Sequence, residues 1–330
     1  MNKKILIVGG AGFIGHNLAL KLKQMGAKVA VIDNLTVNNL YSIKRNEDKV
    51  PFPKLSLKIL DQRFSLLKSK KIIFKQINAQ DFKALNKFVN EFKPKVVIHL
   101  AAVSHASKSN KFPLVTFNNS FVTLQNSLES IKNKIGHFIF LSSSMVYGDF
   151  KKQKVTEDEV CNPIGIYGAL KFSAEKLIKA YGQVYNLPYT IIRPSALYGE
   201  RCISRRVGQI FIESAINKSK IVINGDGRES LDFTYIDDLV DGIICAIKSK
   251  NSFQEIFNLT YGSAKPINAL IKIIKNNFSD VEIEYKKREK LMPIRGTLDI
   301  KKARRLIGYK PSWPLEKGYL AYIRWYKNFL

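Results

Sequence analysis

The chain has 330 residues, 45% hydrophobic and 25% charged, with 11 prolines and 19 glycines, which excludes a disordered or collagen-like polymer. Three scattered cysteines (Cys161, Cys202, Cys245) exclude a disulfide framework or a CxxC zinc site, and no run of about 18 apolar residues marks a membrane span. A net charge of +27 favours anionic partners, yet the lysines are spread along the chain, and no aromatic–basic ladder or nucleic-acid module accompanies them.

The opening "MNKKILIVGGAGFIG" imitates a signal peptide, but its apolar run is short and broken by Gly9, Gly10, Gly12 and Gly15. A soluble, cytoplasmic protein with no membrane contact is therefore expected. Residues 4–10 read as a buried strand, 15–26 as a helix and 28–34 as a second strand. Residues 35–70, with Pro51, Pro53 and many lysines, hold no convincing strand and read as an inserted loop or helical excursion. A third strand follows at 71–79, a helix around 81–92 and a fourth strand at 95–102. A helix over about 113–133, a fifth strand at 137–144, a helix at 167–182 and a sixth strand at 189–199 complete the alternation. Near-continuous apolar strands alternating with helices predict an α/β fold, a doubly wound parallel sheet of Rossmann type. After about residue 200 the alternation weakens. The predicted division is thus 1–200 for the dinucleotide-binding domain and 201–330 for a smaller α/β substrate lobe, with strand exchange between them possible in this topology.

Three features carry chemistry. Gly9, Gly12 and Gly15 form GxxGxxG between a strand and a helix, permitting a tight turn, close approach of a pyrophosphate and a helix N-terminus facing it. Asp33 closes the second strand, where a carboxylate accepts from an adenosine ribose and repels a 2′-phosphate, so NAD is favoured over NADP. Tyr167 and Lys171 lie four apart in "PIGIYGALKFSAEKLIKAYG", on one helical face. A tyrosine acting as a base near neutrality must ionise about three units below its usual 10, worth on the order of 4 kcal/mol, and a neighbouring cation can supply it.

The motifs "GGAGFIG", "DNL", "HLAA", "SSSMVYG", "YGALK" and "RPSALYG" occur in the order seen in the extended short-chain dehydrogenase/reductase superfamily. The chain resembles its nucleotide-sugar epimerase/dehydratase branch from residue 4 to the C-terminus, where "GTLDIKKARRLIGYKPSWPLEKGY" is similar to the branch's closing pattern. This resemblance implies that Tyr167 and Lys171 are the catalytic YxxxK pair and that Ser143, five before Gly148, is the catalytic serine, with Ser142 and Ser144 as neighbours that compete for the role. It implies cofactor contacts from Gly9, Gly12, Phe13, Ile14, Gly15, Asp33, Asn34, Asn78, Ala79, Leu100, Ala101, Ala102 and Asn119, and from Arg193 and Pro194 beside Tyr167 and Lys171. His99 and His105 lack clustered carboxylates or thiols and read as structural, so no metal is expected.

The departures concern substrate. The Asp-Glu pair of the dehydratases is Ser144-Met145 here, which disfavours water elimination and decarboxylation. An asparagine of the family's phosphate site is Ala196, and an arginine is Leu231. Arg201, Arg205, Arg206, Arg228, Arg288 and Arg295, with Ser144, are the candidates to bind the substrate in their place, since arginine forks suit diphosphate oxygens. The function so implied is NAD-dependent epimerisation of a nucleotide-diphosphate sugar, at C4 of a UDP-hexose, by a homodimer joined through helices 113–133 and 167–182. The rivals are a ketoreductase or dehydrogenase with net redox and a silent relative that only binds.

Overall fold

The computed structural model describes residues 3–45, 50–288 and 291–330. Residues 46–49 of the 35–70 segment and the last two of "YKKREK" lie outside the described residues. A seven-stranded, all-parallel sheet forms the centre: β1 (Lys4–Val8), β2 (Lys28–Asp33), β3 (Ile73–Gln76), β4 (Val96–His99), β5 (His137–Leu141), β6 (Tyr189–Arg193) and β7 (Glu255–Asn258). Their spatial order is β3-β2-β1-β4-β5-β6-β7. The order reverses between β1 and β4, which opens the crevice where doubly wound sheets take their ligands. β1 and β5 are buried almost throughout because helices cover both faces.

Thirteen α-helices are described: α1 (Phe13–Gln24), α2 (Leu40–Lys44), α3 (Pro53–Ser69), α4 (Phe82–Phe92), α5 (Ala106–Lys111), α6 (Pro113–Phe117), α7 (Thr123–Ile131), α8 (Gly165–Tyr185), α9 (Val207–Ile216), α10 (Ile236–Lys248), α11 (Ile267–Lys275), α12 (Lys301–Ile307) and α13 (Leu315–Phe329). In α4 the spacing of Leu85, Phe88, Val89 and Phe92 builds one apolar stripe onto the sheet. Asp81 caps this helix by accepting from Ala84 N at 3.0 Å, and Lys93 ends it in the left-handed region.

Within the 35–70 segment the helical excursion is the one formed: α2 and α3 make the crossover from β2 to β3. Asn39 and Ser42 form a capping box at α2, and Pro53 opens α3, which buries Ile59, Leu60, Arg63 and Leu67. Other expectations need correction. The helix expected over 113–133 is broken by a π-helical turn at Asn118–Val122 between α6 and α7, a device that re-aims side chains near sites. The sixth strand stops at Arg193, and only Leu197–Tyr198 of the remainder pairs, with Thr234–Tyr235. The seventh strand comes from Glu255–Asn258, beyond the division drawn at residue 200. The other short ladders among the described residues are Ile221–Asn224 with Ile283–Lys286, Ser230–Leu231 with Lys265–Pro266, and Thr297–Leu298 with Lys154–Val155. Buried Asp232 ties this region together by accepting from Thr260 Oγ1, Gly262 N and Leu298 N at 3.0–3.1 Å.

Candidate active site

The glycine loop places its backbone where a side chain cannot fit. At Gly9 (φ +76°) a Cβ would lie 2.6 Å from Ala101 N, and at Gly15 it would lie 2.5 Å from Gly10 Cα. α1 starts at Gly12 with no side-chain cap, so its first N–H groups face the crevice. One cleft is lined by Gly9, Gly12, Phe13, Ile14 and Gly15 from this loop and by Asp33 and Asn34 after β2. Asn78 and Ala79 after β3, Leu100, Ala101 and Ala102 after β4, and Asn119 on the π turn complete it among the residues expected from sequence. Asp33 accepts from Leu35 N at 2.8 Å and Ala11 N at 3.1 Å. Burial raises its pKa, and these two N–H groups oppose the rise. Asn78 Oδ1 receives Asn34 Nδ2 at 3.2 Å and Gln80 N at 3.1 Å, a bridge between the loops after β2 and β3 at the cleft wall.

Tyr167 and Lys171 sit in the first turns of α8 and are buried. A Cβ at Gly168 would come 2.8 Å from Met145 O, so glycine lets α8 close on the turn that follows β5. Ser143 heads that turn, its Oγ accepting from Met145 N at 3.2 Å. Burial pushes the Tyr167 phenol up, while the Arg206 guanidinium and the Ser143 hydroxyl pull it back. The Lys171 ammonium, expected beside the phenol, donates to Leu141 O at 2.6 Å and lies over the Phe140 ring at 4.6 Å. Burial lowers its pKa to about 7, against the pull of Glu175 one turn further on. His99, on β4, is hydrogen-bonded to Ser127 at 3.1 Å, and burial drops it to about 3, so its imidazole stays neutral.

The arginines divide sharply. Arg193, expected at the cofactor, is not among the residues lining the cleft. It is 2% exposed, and its Nε and NH2 engage Glu175 at 2.9 and 2.6 Å while NH1 donates to Glu157 O at 3.1 Å. Pro194 accepts from Ser144 N at 2.9 Å through its carbonyl, so it positions the serine turn, and Ser144 itself is buried within that turn. Arg201 is turned onto α1, donating to His16 Nε2 at 3.0 Å and Asn17 Oδ1 at 2.8 Å and pairing with Glu200. Arg205 donates its peptide N to Gln209 Oε1 at 2.8 Å and acts on Glu213 of α9. Arg228 is 87% exposed beside Asp226 and is a solvated turn residue.

Arg206 and Arg288 both act electrostatically on Arg295. Arg206 lines the cleft and donates to Ser104 O at 2.7 Å. Arg295 has a buried Nε without an acceptor, and burial together with the charges of Arg206 and Arg288 lowers its pKa to about 10. Arg288 donates to Met292 O at 2.9 Å and lies 3.6 Å from Glu229. A buried N–H without an acceptor, in the field of two further guanidiniums, suits an anion better than a cation. The sequence reading missed Asn38, Ser104 and Ser204, which also line the cleft from irregular loops without motif or periodicity. The loop lengths after β2 and β4 were the only signal for Asn38 and Ser104, and nothing local marked Ser204.

The sequence profile of the NAD dependent epimerase/dehydratase family matches residues 5–260. The chain belongs to that family. A provisionally assigned UDP-glucose 4-epimerase of Methanocaldococcus jannaschii is 33% identical over 330 residues, 98% of each chain. The UDP-glucuronate 4-epimerase of Thermodesulfobacterium geofontis is 29% identical over 327 residues, covering 98% of this chain and 96% of its own. Among solved structures, the Bacillus cereus UDP-glucuronic acid 4-epimerase in complex with UDP-glucuronic acid and NAD superposes with a TM-score of 0.87 at 27% identity, over 99% and 100% of the two chains. As in this NAD-dependent epimerase/dehydratase family generally, the cofactor is NAD, and the glycine cradle, the open α1 N-terminus and the Asp33 carboxylate fit it. No described helix is long and apolar enough to cross a membrane.

Proposed function

We propose that the protein is an NAD-dependent nucleotide-sugar epimerase that inverts C4 of a UDP-hexose. The observation that carries this reading is the buried set of Ser143, Tyr167 and Lys171 where α8 closes on the turn after β5, with Ser143 acting on the Tyr167 phenol and no acid at Met145. Tyr167 takes the proton of the reacting hydroxyl while Ser143 holds that oxygen, and the same phenol returns the proton after the ring turns. Bound NAD supplies a reversible hydride acceptor for the C4 carbon. The 4-keto sugar turns about its diphosphate, which the Arg206, Arg288 and Arg295 group holds. Met145 cannot transfer a proton, which argues against elimination of water.

The exposed apolar side chains of Phe112, Leu114, Val115 and Phe117 on the 106–131 run and Val184 on α8 support a homodimer through these helices. Leu114→Glu, at a side chain 72% exposed, should shift the mass measured by light scattering from dimer to monomer; a wild-type monomer would overturn the dimer. Three free thiols suit a reducing compartment, the cytoplasm.

The function is tested by NMR of the protein with UDP-, GDP-, CDP- and dTDP-sugars, beside Tyr167→Phe. Inversion of one carbon without accumulated NADH, lost in the variant, is the expected result. Net NADH formation or consumption would replace the epimerase with a redox enzyme.

A further inference from the structure

Arg63 is a large, fully buried side chain contributed by α3, in the crossover that the sequence left without a role. Its Nε donates to Arg201 O at 2.9 Å, and its NH2 reaches the same carbonyl. Its NH1 donates to Ala11 O at 3.4 Å, where Asn39 Nδ2 from the same crossover also donates at 3.3 Å. Each acceptor belongs to a different half of the site. Ala11 lies inside the glycine loop, and its N–H is held by Asp33 Oδ2 at 3.1 Å. Arg201, in the left-handed region (φ 62°), starts the arm that carries Ser204 and Arg206 to the cleft wall. The arm's outer side is fixed separately, where the Arg201 guanidinium grips His16 and Asn17 on α1.

We infer that Arg63 is a positioning residue that couples the two binding events, holding the NAD loop and the substrate arm 201–206 in one register so that NAD and the nucleotide each tighten the other. The inference rests on the nucleotide-sugar reading above. Ordering the Ala11 peptide around a dinucleotide fixes one end of the guanidinium fork. The other end then holds Arg201 O where Arg206 can meet the diphosphate. Because one rigid planar group spans two separate carbonyls, a flexible ammonium does not replace it. Thermodynamic linkage makes the effect reciprocal, so it is readable on NAD alone.

The test uses UDP as probe, reading NAD affinity by fluorescence titration with and without UDP, and UDP binding by calorimetry. In the wild type, saturating UDP should tighten NAD by about fivefold or more, the low end of typical coupling between sites. In Arg63→Lys and Arg63→Met, both checked for folding by circular dichroism, that tightening should fall to less than about twofold while UDP still binds. UDP that binds the wild type without changing NAD affinity would overturn the coupling and leave the proposed activity standing, even if neither variant folds. Tightening by UDP that persists in Arg63→Lys would overturn the role of Arg63. UDP that does not bind at all would overturn both this inference and the nucleotide-sugar reading.

Discussion

The Arg193–Glu175 pair is the sharpest place to test the packing logic. Replacing Glu175 by glutamine keeps the shape of the side chain and removes the charge. The structure gives Glu175 three hydrogen bonds: two from Arg193, at 2.9 and 2.6 Å, and one from the Ser142 hydroxyl at 2.5 Å. The pair is 3% and 1% exposed at its side chains, so solvent cannot take over the guanidinium. An amide would keep one acceptor, turn an NH2 toward a cation and leave a buried charge uncompensated. Breaking one side of such a pair costs about 3–5 kcal/mol, a large fraction of the roughly 5–15 kcal/mol that holds a native domain. At an m-value of about 3 kcal/mol/M, the urea midpoint should fall by roughly 1 M. The paired replacement Glu175→Leu with Arg193→Met should recover at least half of that loss, because two apolar side chains leave no unpaired charge. The assay is urea denaturation of the NAD-loaded protein, with NAD affinity measured alongside. A loss below about 1 kcal/mol in Glu175→Gln, or a double variant as unstable as the single one, would refute the reasoning. A collapse of NAD affinity in the folded double variant would return Arg193 to the cofactor.

Asp33→Asn should weaken NAD at least about tenfold and narrow its preference over NADP, because the carboxylate organises Ala11 and Leu35 and its charge repels a 2′-phosphate. Fluorescence titration with both cofactors checks this, and an unchanged NAD affinity would sink it. Ala196 adopts φ 36°, costly for an L-residue, so Ala196→Gly should raise unfolding free energy by about 0.5–1 kcal/mol. A less stable variant in urea would show that the strain is absent. Because burial lowers Lys171 to about 7, the unfolded chain binds a proton that the folded chain does not between that pH and its ordinary 10.5. This group's contribution to stability therefore rises with pH across that window, by at most about 1.4 kcal/mol per unit, and is absent in Lys171→Met. Identical pH dependence of unfolding in the two proteins would contradict it.

The sheet and the cofactor cleft were legible because apolar strands and glycine turns are local signals. "KILIV" and "HFIFL" can only be buried runs, and Gly9 and Gly15 stand where a Cβ meets backbone. The four-residue strand "EIFN" was not, since its single turn-to-turn length carries no period and its partner β6 is far back in the chain. Arg193 misled for the opposite reason. It stands in a recognisable motif, but its role is set by Glu175 on α8, a pairing that only the packed structure reveals. The arginine group resolved in the same way: six candidates shared one chemistry, and only burial and neighbours separated Arg206, Arg288 and Arg295 from those already engaged.

The late arrival of β7 bears on how the chain is made. Until Glu255–Asn258 has left the ribosome, β6 presents its whole hydrogen-bonding edge, with buried Ile191 and Ile192 at its centre. At about 5–20 residues per second, the roughly 60 residues between the two strands leave that edge bare for some 3–12 s. A nascent chain in this interval is a natural client for chaperones, and a gene fragment cut at residue 200 would keep the exposed edge permanently and be prone to aggregation.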